Sequence, residues 1–163
     1  MDAIECLKTR RSIRSYERKD IEKELLTEII DCGRFAPTAR NEQPWEFIIV
    51  TDKEKLATIG EIAPNGSFIK DASACIVVIC KDTKYYLEDG CAATQNILLA
   101  AHALGLGACW IAGDKKPYCE DIKKLFNIPK EYKVVSLISL GYPAEKPVAE
   151  KRALEEITHW EIF

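Results

Sequence analysis

The stretch AATQNILLAAHALGLGACWIAG, residues 92–113, contains the two elements that decide the fold. Its first half is apolar or small on nearly every side, and it continues a helix that we predict over residues 85–104. A surface helix would show one polar face, so this helix is predicted to be buried on most sides. Gly105 is a typical residue to end it, and the following ACWIAG predicts a strand ending in Gly113. A small domain offers little cover for such a helix, which favours a subunit interface as the second cover.

Strands and helices alternate on both sides of this stretch. ACIVVIC, residues 74–80, is a continuous apolar run typical of a central strand that is buried on both faces. Further strands are predicted over 47–50 and 132–141, and further helices over 21–35, 53–62 and 117–127, with Asp20 as the N-cap of the first of these three. The pattern predicts an α+β sandwich that forms one domain over residues 1–163. One sheet would carry helices on both faces, and two copies would form a dimer.

The composition limits the classes of function. The 163 residues carry a formal net charge of −3, which argues against a general nucleic-acid binder. The seven cysteines are odd in number and no two are spaced as CxxC, so we interpret them as buried thiols in a reducing cytoplasm and expect no metal site. The amino terminus lacks the pattern of a signal peptide, and no apolar run reaches the roughly 20 residues of a membrane span.

The segment TRRSIRSY, residues 9–16, is the first candidate binding site. Side chains alternate in an extended chain, so Arg10, Ser12 and Arg14 would point one way and Arg11 and Ile13 the other. Two guanidinium groups and a hydroxyl on one side suit a phosphate, because guanidinium donates paired hydrogen bonds to it. The alternative is a solvated basic turn that makes only surface ion pairs.

The segment PTARNEQPW, residues 37–45, is predicted to be a loop because two prolines bracket polar residues. Thr38, Asn41 and Gln43 could present donors and acceptors to a polar ligand. The same segment could equally be a hairpin-like connector.

Side chains that could form a hydrolytic or nucleophilic centre do not assemble in this sequence. There are only two histidines, far apart, with no nucleophile elbow and no P-loop. If the chain is an enzyme, a cofactor therefore supplies the reactive group, and no side chain is predicted to be catalytic.

Taken together, these segments resemble the FMN-dependent nitroreductase family over nearly the whole chain. RRSIRSY at 10–16 and PTARNEQPWEFIIV at 37–50 are similar to its two flavin motifs. Residues 92–113 resemble its long interface helix and following strand. LGYPAEKP at 140–147, followed by EKRALEEITHW at 150–160, resembles its carboxy-terminal signature. Four motifs in the family's order are far more specific than any one of them.

The resemblance implies a role for each matching position. The segment around Arg10, Ser12 and Arg14 would hold the flavin phosphate, ribityl chain and pyrimidine edge, and a loop from the partner subunit would complete the site. Asn65 would bond the isoalloxazine ring, and the backbone of the strand end would face its N5 atom. The implied FMN-binding residues are Arg10, Arg11, Ser12, Arg14, Pro37, Thr38, Ala39, Asn41, Gln43, Asn65, Ala112, Gly113, Lys151 and Arg152.

The resemblance also implies an activity and an assembly. We expect a homodimeric oxidoreductase with a mainly antiparallel sheet, two FMN sites at the interface and an exchanged carboxy-terminal arm over residues 154–163. NADH or NADPH would reduce it, and nitroaromatics, quinones or similar acceptors would reoxidise it. The alternatives are a specialised flavin-remodelling reductase on the same fold and a non-catalytic flavin- or nucleotide-binding dimer. The short segment DKKPYC, residues 114–119, replaces a longer covering segment of many members.

Overall fold

The computed structural model describes all residues 1–163, which form five α-helices and four β-strands. The helices are α1 (Ala3–Thr9), α2 (Lys23–Arg34), α3 (Lys53–Ile62), α4 (Tyr86–Ala103) and α5 (Cys119–Leu125). The strands are β1 (Trp45–Val50), β2 (Ala74–Lys81), β3 (Gly107–Ala112) and β4 (Tyr132–Gly141). A 3₁₀ segment, Pro64–Asp71, joins α3 to β2. None of the helices has the length and apolar character needed to cross a membrane.

The four strands form one antiparallel sheet in the order β1-β2-β4-β3. β2 is buried over its first seven residues, as expected for a central strand covered on both faces. On one face α2 and α4 pack through residues such as Ile29 and Ile97. On the other face α3, α5 and the 3₁₀ segment pack through residues such as Leu56 and Ile122. The predicted α/β/α sandwich with a mainly antiparallel sheet is therefore confirmed.

The structure also confirms the predicted long helix. Only Glu88 and Ala103 of α4 are exposed, because the sheet covers one side and α2 and α1 cover others. The helix ends as predicted: Gly105 has a φ of 81°, and the Leu106 N–H donates to the carbonyl of Ala101 at 2.8 Å. This is the bonding of a Schellman motif, which favours glycine because the left-handed conformation carries a penalty for other residues.

Two predicted helix boundaries were wrong. α2 begins at Lys23, and Glu22 precedes it without a side-chain capping bond. Asp20 is not its N-cap, since the Asp20 carboxylate instead pairs with Lys53 at 3.3 Å. α5 is shorter than the predicted 117–127 at both ends. The Cys119 N–H closes a turn onto the Lys116 carbonyl before the helix starts, and Asn127 has a φ of 51° that ends it.

Candidate functional site

The arginine segment is extended, as predicted, and lies along the free side of β3. Ser12 forms a parallel bridge with Ala108, and the Ile13 N–H donates to the Ala108 carbonyl at 3.0 Å. Gly107 permits this approach, because a Cβ built there would lie 2.8 Å from the Cβ of Ile13. Ile13 is buried in a small cluster with Tyr16. Burial of Ile13 fixes which side of the segment faces the protein.

Side chains of this segment gather around the buried thiol of Cys109. Burial raises the pKa of that thiol, while Arg14, a hydrogen bond with Ser12 and then Arg10 lower it. Arg11 does not contribute and instead donates to the carbonyls of Lys8 and Arg10, both at 2.8 Å. The Arg11 guanidinium is therefore held against the backbone of its own segment and of the helix before it.

The three guanidinium groups of this segment have no acidic partner. No carboxylate oxygen lies within 4.0 Å of a guanidinium nitrogen of Arg10, Arg11 or Arg14, although seven ion pairs form elsewhere. The nearest acid acts on the backbone: Glu145 accepts hydrogen bonds from the N–H groups of Arg14 and Ser15. A concentrated positive charge is therefore left available to an external anion.

The outer edge of β3 is open over a short length. In an antiparallel pair, alternate residues direct both backbone groups at the partner strand and the residues between them point away. The Gly113 N–H donates to Val135 at 3.1 Å, so Trp110 and Ala112 must point away from β4. Ala108, two residues before Trp110, points away from β4 in the same way, and its carbonyl binds the arginine segment. The unpaired N–H groups of Trp110 and Ala112 therefore lie directly beyond that segment.

The far end of this open edge is closed by side chains of the short 114–119 connection. The Tyr118 hydroxyl donates to the Ala112 carbonyl, and the Cys119 thiol donates to the Gly113 carbonyl at 2.8 Å. Burial raises the pKa of Tyr118 to about 12, so the phenol keeps its proton at neutral pH. Next to it, the Tyr86 hydroxyl donates to Asp114 at 2.6 Å. The strand end is thereby held in one position.

The 3₁₀ segment brings Asn65 to the same side of the molecule. Its neighbour Gly66 packs on Ile111 of β3, where an added Cβ would lie 3.2 Å from the isoleucine methyl. The ring of Phe68, in the same segment, lies 5.9 Å below the Arg14 guanidinium. Asn65 itself is exposed to solvent.

The loop of residues 37–43 is anchored to the opposite end of α4 from Gly105. The buried carboxylate of Asp89 accepts a hydrogen bond from the Thr38 hydroxyl at 2.8 Å and from the Ala39 N–H at 3.1 Å. Asn41 and Gln43 are exposed. No hydrogen bond or ion pair joins this loop, which begins at Pro37, to the arginine segment of the same chain.

The two basic residues near the carboxy terminus are not brought to the arginine segment within one chain. Lys151 and Arg152 are exposed, and Arg152 bonds only to Glu156, at 3.0 Å to its carbonyl. No hydrogen bond or ion pair joins residues 146–163 to the rest of the protein, and residues 148–163 are all exposed. This tail contains the most exposed apolar side chains of the chain, including Trp160 and Phe163.

Comparison with known proteins assigns the chain and its fold to one family. The sequence pattern that defines the nitroreductase family matches residues 7–87 and 66–142. The chain belongs to the nitroreductase family. The predicted family, and with it the prediction of an oxidoreductase, is confirmed.

Relatives of this nitroreductase-family protein cover almost its whole length. A Methanothermobacter thermautotrophicus protein, provisionally named NADH dehydrogenase/NAD(P)H nitroreductase, is 44% identical over 90% of this chain and 80% of its own. The structure of an FMN-dependent nitroreductase from Clostridium difficile matches with a TM-score of 0.91 at 35% identity, covering 98% and 99% of the two chains. A provisionally named Desulfovibrio desulfuricans nitroreductase, solved in complex with FMN, matches with a TM-score of 0.89 at 27% identity, covering 100% and 99%.

Sequence reasoning missed three residues that shape the site of this nitroreductase-family protein. Asp89 anchors the 37–43 loop, Tyr118 caps the end of β3, and Glu145 fixes the backbone at Arg14. Asp89 gave one usable signal, because it is an acid at the start of a helix that is otherwise mostly apolar. The other two gave none, since their bonds depend on how the chain folds.

Proposed function

We propose that this chain is an FMN-dependent oxidoreductase that uses NADH or NADPH to reduce nitroaromatics, quinones or similar acceptors. Each FMN would lie against the open edge of β3, at the interface of a homodimer. Family membership supports the proposal, as do the relatives named as NAD(P)H nitroreductases, the related structure named as an FMN-dependent nitroreductase and the related structure solved in complex with FMN.

One observation carries the proposal to this chain. A cluster of cations without acidic partners lies directly beside unpaired backbone N–H donors on a sheet edge. FMN carries a phosphate at one end and a ring with acceptor atoms at the other. The donors of the site therefore fit both ends of this cofactor, and a neutral ligand would leave the cations without a partner.

The residues take distinct binding roles in this proposal. Arg10 and Ser12 would bind the phosphate and ribityl chain. Arg14 would hold a positive charge at the pyrimidine edge, where reduction places negative charge. Further contacts would come from Arg11, Asn65, Lys151 and Arg152, and from Pro37, Thr38, Ala39, Asn41 and Gln43 of the partner.

At the strand end, the two proposed backbone positions differ. The Gly113 N–H is already bonded to Val135, whereas the Ala112 N–H points away from the sheet. Ala112 is therefore the donor that we assign to the flavin ring. Tyr118 would keep this peptide in place through the Ala112 carbonyl.

No side chain has to react in this mechanism. When bound, FMN would accept a hydride from the nicotinamide and deliver it to the acceptor, the two substrates using the site in turn. Residues of the chain would bind and orient FMN and would place positive charge beside it. The proton that the acceptor needs would come from water.

The homodimer is supported by apolar surface that one chain leaves exposed. Ile4 and Leu7 of α1, and Phe35 directly after α2, are each more than half exposed, and both helices pack beside α4. Leu154 to Phe163 add a second exposed apolar segment. Such surfaces mark association sites in soluble proteins, and a partner could cover both.

The test is whether the purified protein binds FMN and whether NADH or NADPH then reduces the bound flavin. We expect a yellow dimer with two FMN per dimer, whose flavin absorbance bleaches anaerobically with NADH or NADPH and returns with a nitroaromatic or quinone. Protein that does not bind FMN would overturn the proposal. Yellow protein that neither nucleotide bleaches would show a flavin-binding module instead of this enzyme.

A further inference from the structure

Asp89 is a buried carboxylate that the proposed chemistry does not use. It lies in the first turn of α4 and is 4% exposed. No cationic side chain lies within 4.0 Å of it. Its side chain accepts only two hydrogen bonds, from the Thr38 hydroxyl at 2.8 Å and the Ala39 N–H at 3.1 Å. Burying a carboxylate without a counter-charge is costly, so these two donors are what keeps it in place.

The loop that Asp89 holds has an unusual backbone. Of the six non-glycine residues with positive φ in the chain, three are Arg40 at 54°, Asn41 at 59° and Gln43 at 49°. The left-handed conformation is unfavourable for a residue with a Cβ, and less so for asparagine. Strained residues of this kind persist only where surrounding contacts fix them, and they concentrate at functional sites.

Thr38 transmits the anchor to the strained part of the loop. Its hydroxyl gives its proton to Asp89 and accepts the N–H of Gln43 at 3.1 Å. The Thr38 carbonyl also accepts the N–H of Asn41 at 3.3 Å. The carboxylate therefore fixes Thr38, and Thr38 fixes two of the three left-handed residues, Asn41 and Gln43.

We propose that Asp89 is a positioning residue for FMN binding in the partner subunit. It holds residues 37–43 in the shape with which this loop completes the other protomer's site. The inference rests on the proposed function, because it requires a dimer that shares its FMN sites. In its own chain, the loop makes no hydrogen bond or ion pair with the arginine segment.

The first experiment compares Asp89→Asn with a matched control. Asparagine keeps the size of the side chain and one acceptor oxygen, but its NH₂ group cannot accept the Thr38 proton. We expect FMN to bind about 10- to 100-fold more weakly, as for the loss of a charge-assisted hydrogen bond. Glu88→Gln removes the same charge from an exposed position in the same helical turn, and it should change FMN affinity by no more than about two-fold.

Mixed dimers then show which site Asp89 serves. In the proposed dimer, each site is built from the arginines of one protomer and the loop of the other. Two arrangements of the same two mutations therefore leave different numbers of sites intact. In the first dimer, one protomer carries Arg10→Ala and the other Asp89→Asn. In the second, one protomer carries both changes and the other is wild type. Dimers with two different affinity tags can be purified and titrated with FMN at a concentration that fills only intact sites.

The expected result is one FMN per dimer in the first arrangement and none in the second. The first arrangement places both defects in one site and leaves the other intact, whereas the second damages both sites. The reverse result would show that Asp89 serves its own protomer's site. One FMN in both arrangements would show that Asp89 contributes to neither site. Either outcome overturns the inference while leaving the proposed function standing, whereas a wild-type protein that fails to bind FMN overturns the proposed function itself.

Discussion

Arg10 is half-buried, and neither its guanidinium nor those of Arg11 and Arg14 meets a carboxylate. Positive charges that lie close together repel one another, so this cluster raises the energy of the protein until an anion binds. The charges also influence a neighbour. Burial, Arg10 and Arg11 lower the pKa of His102, so that this histidine is neutral at pH 7 and adds no further charge. The cost of the empty cluster should therefore favour ligand binding.

Arg10→Ala tests the phosphate role. We expect FMN affinity to fall by about 1.5–3 kcal/mol, the loss of a charge-assisted hydrogen bond. Riboflavin has no phosphate, so it should bind the wild-type protein poorly and be nearly indifferent to the change. Fluorescence titration with both ligands measures this, with Arg18→Ala as a control for the loss of an exposed charge. Equal losses for FMN and riboflavin would place Arg10 away from the phosphate.

Arg14→Ala tests the electrostatic role. Without the cation, the reduced cofactor loses stabilisation and the reduction potential should fall, by about 30 mV for each 1.4 kcal/mol of a two-electron couple. Arg14→Lys keeps the charge and should retain most of the wild-type potential. Both variants are measured saturated with FMN by equilibration against a reference dye. A potential that does not change in Arg14→Ala would contradict the assignment.

Among the elements, β3 does most to position the site. Gly113, which directly follows this strand, is the most constrained residue at that end. A Cβ at Gly113 would lie 2.7 Å from both the carbonyl carbon and oxygen of Val135 and 2.9 Å from the N of Ser136. These are backbone atoms of β4, which cannot move aside as a flexible side chain can. The close approach of the two strands here is possible only because residue 113 has no side chain.

Gly113→Ala should therefore displace the strand end. We expect the free energy of unfolding to fall by about 1–3 kcal/mol, as for overpacked interiors, and FMN binding to weaken because Ala112 moves with the strand. Gly105→Ala is the matched control. It has no atom within 4 Å of its added Cβ and is penalised only by its φ of 81°, so it should lower stability by about 1–2 kcal/mol without weakening FMN binding. Chemical denaturation and FMN titration of both variants decide the point.

Elements governed by local pattern could be predicted from the sequence. The bounds of α3 agree with the prediction, and β2, β4 and α4 agree within a residue or so, because their apolar runs and end signals are strong. The start of α2 could not be predicted, since Asp20 is drawn to Lys53 across the fold. Of the site, the sequence identified the arginine segment by its three closely spaced arginines. Its bridge to Ala108 and the anchoring of Thr38 by Asp89 were not predictable, because they join residues 96 and 51 positions apart.

The whole molecule leaves two apolar surfaces uncovered: the α1–α2 surface around Leu7 and Phe35, and the tail from Leu154 to Phe163. Trp160 is 83% exposed, and the last residue is fully exposed. A terminus of this composition would not stay in water without a surface to bind. Exchange of the tail between two protomers would cover both surfaces and would bring Lys151 and Arg152 onto the partner.

Deleting residues 154–163 should therefore weaken the dimer and release FMN together. The loop and the arginines of one site belong to different chains in the proposed dimer, so loss of the interface is also loss of the site. Glu155→Gln in the full-length chain keeps the apolar tail and should leave both properties unchanged. Light scattering with simultaneous flavin fluorescence measures this. A well-folded monomer that retains FMN would contradict both the exchanged arm and the shared sites.

The unpaired N–H groups of Trp110 and Ala112 have a consequence for handling the protein. An exposed strand edge is a template on which a strand of another molecule can add, and this is a route to aggregation. A bound cofactor would occupy the edge and block that addition. The cofactor-free protein should therefore precipitate on storage sooner than the loaded one, even where both are equally folded, and turbidity followed over days would show it. In the cell, supply of the cofactor would then determine how long each newly made chain remains in solution.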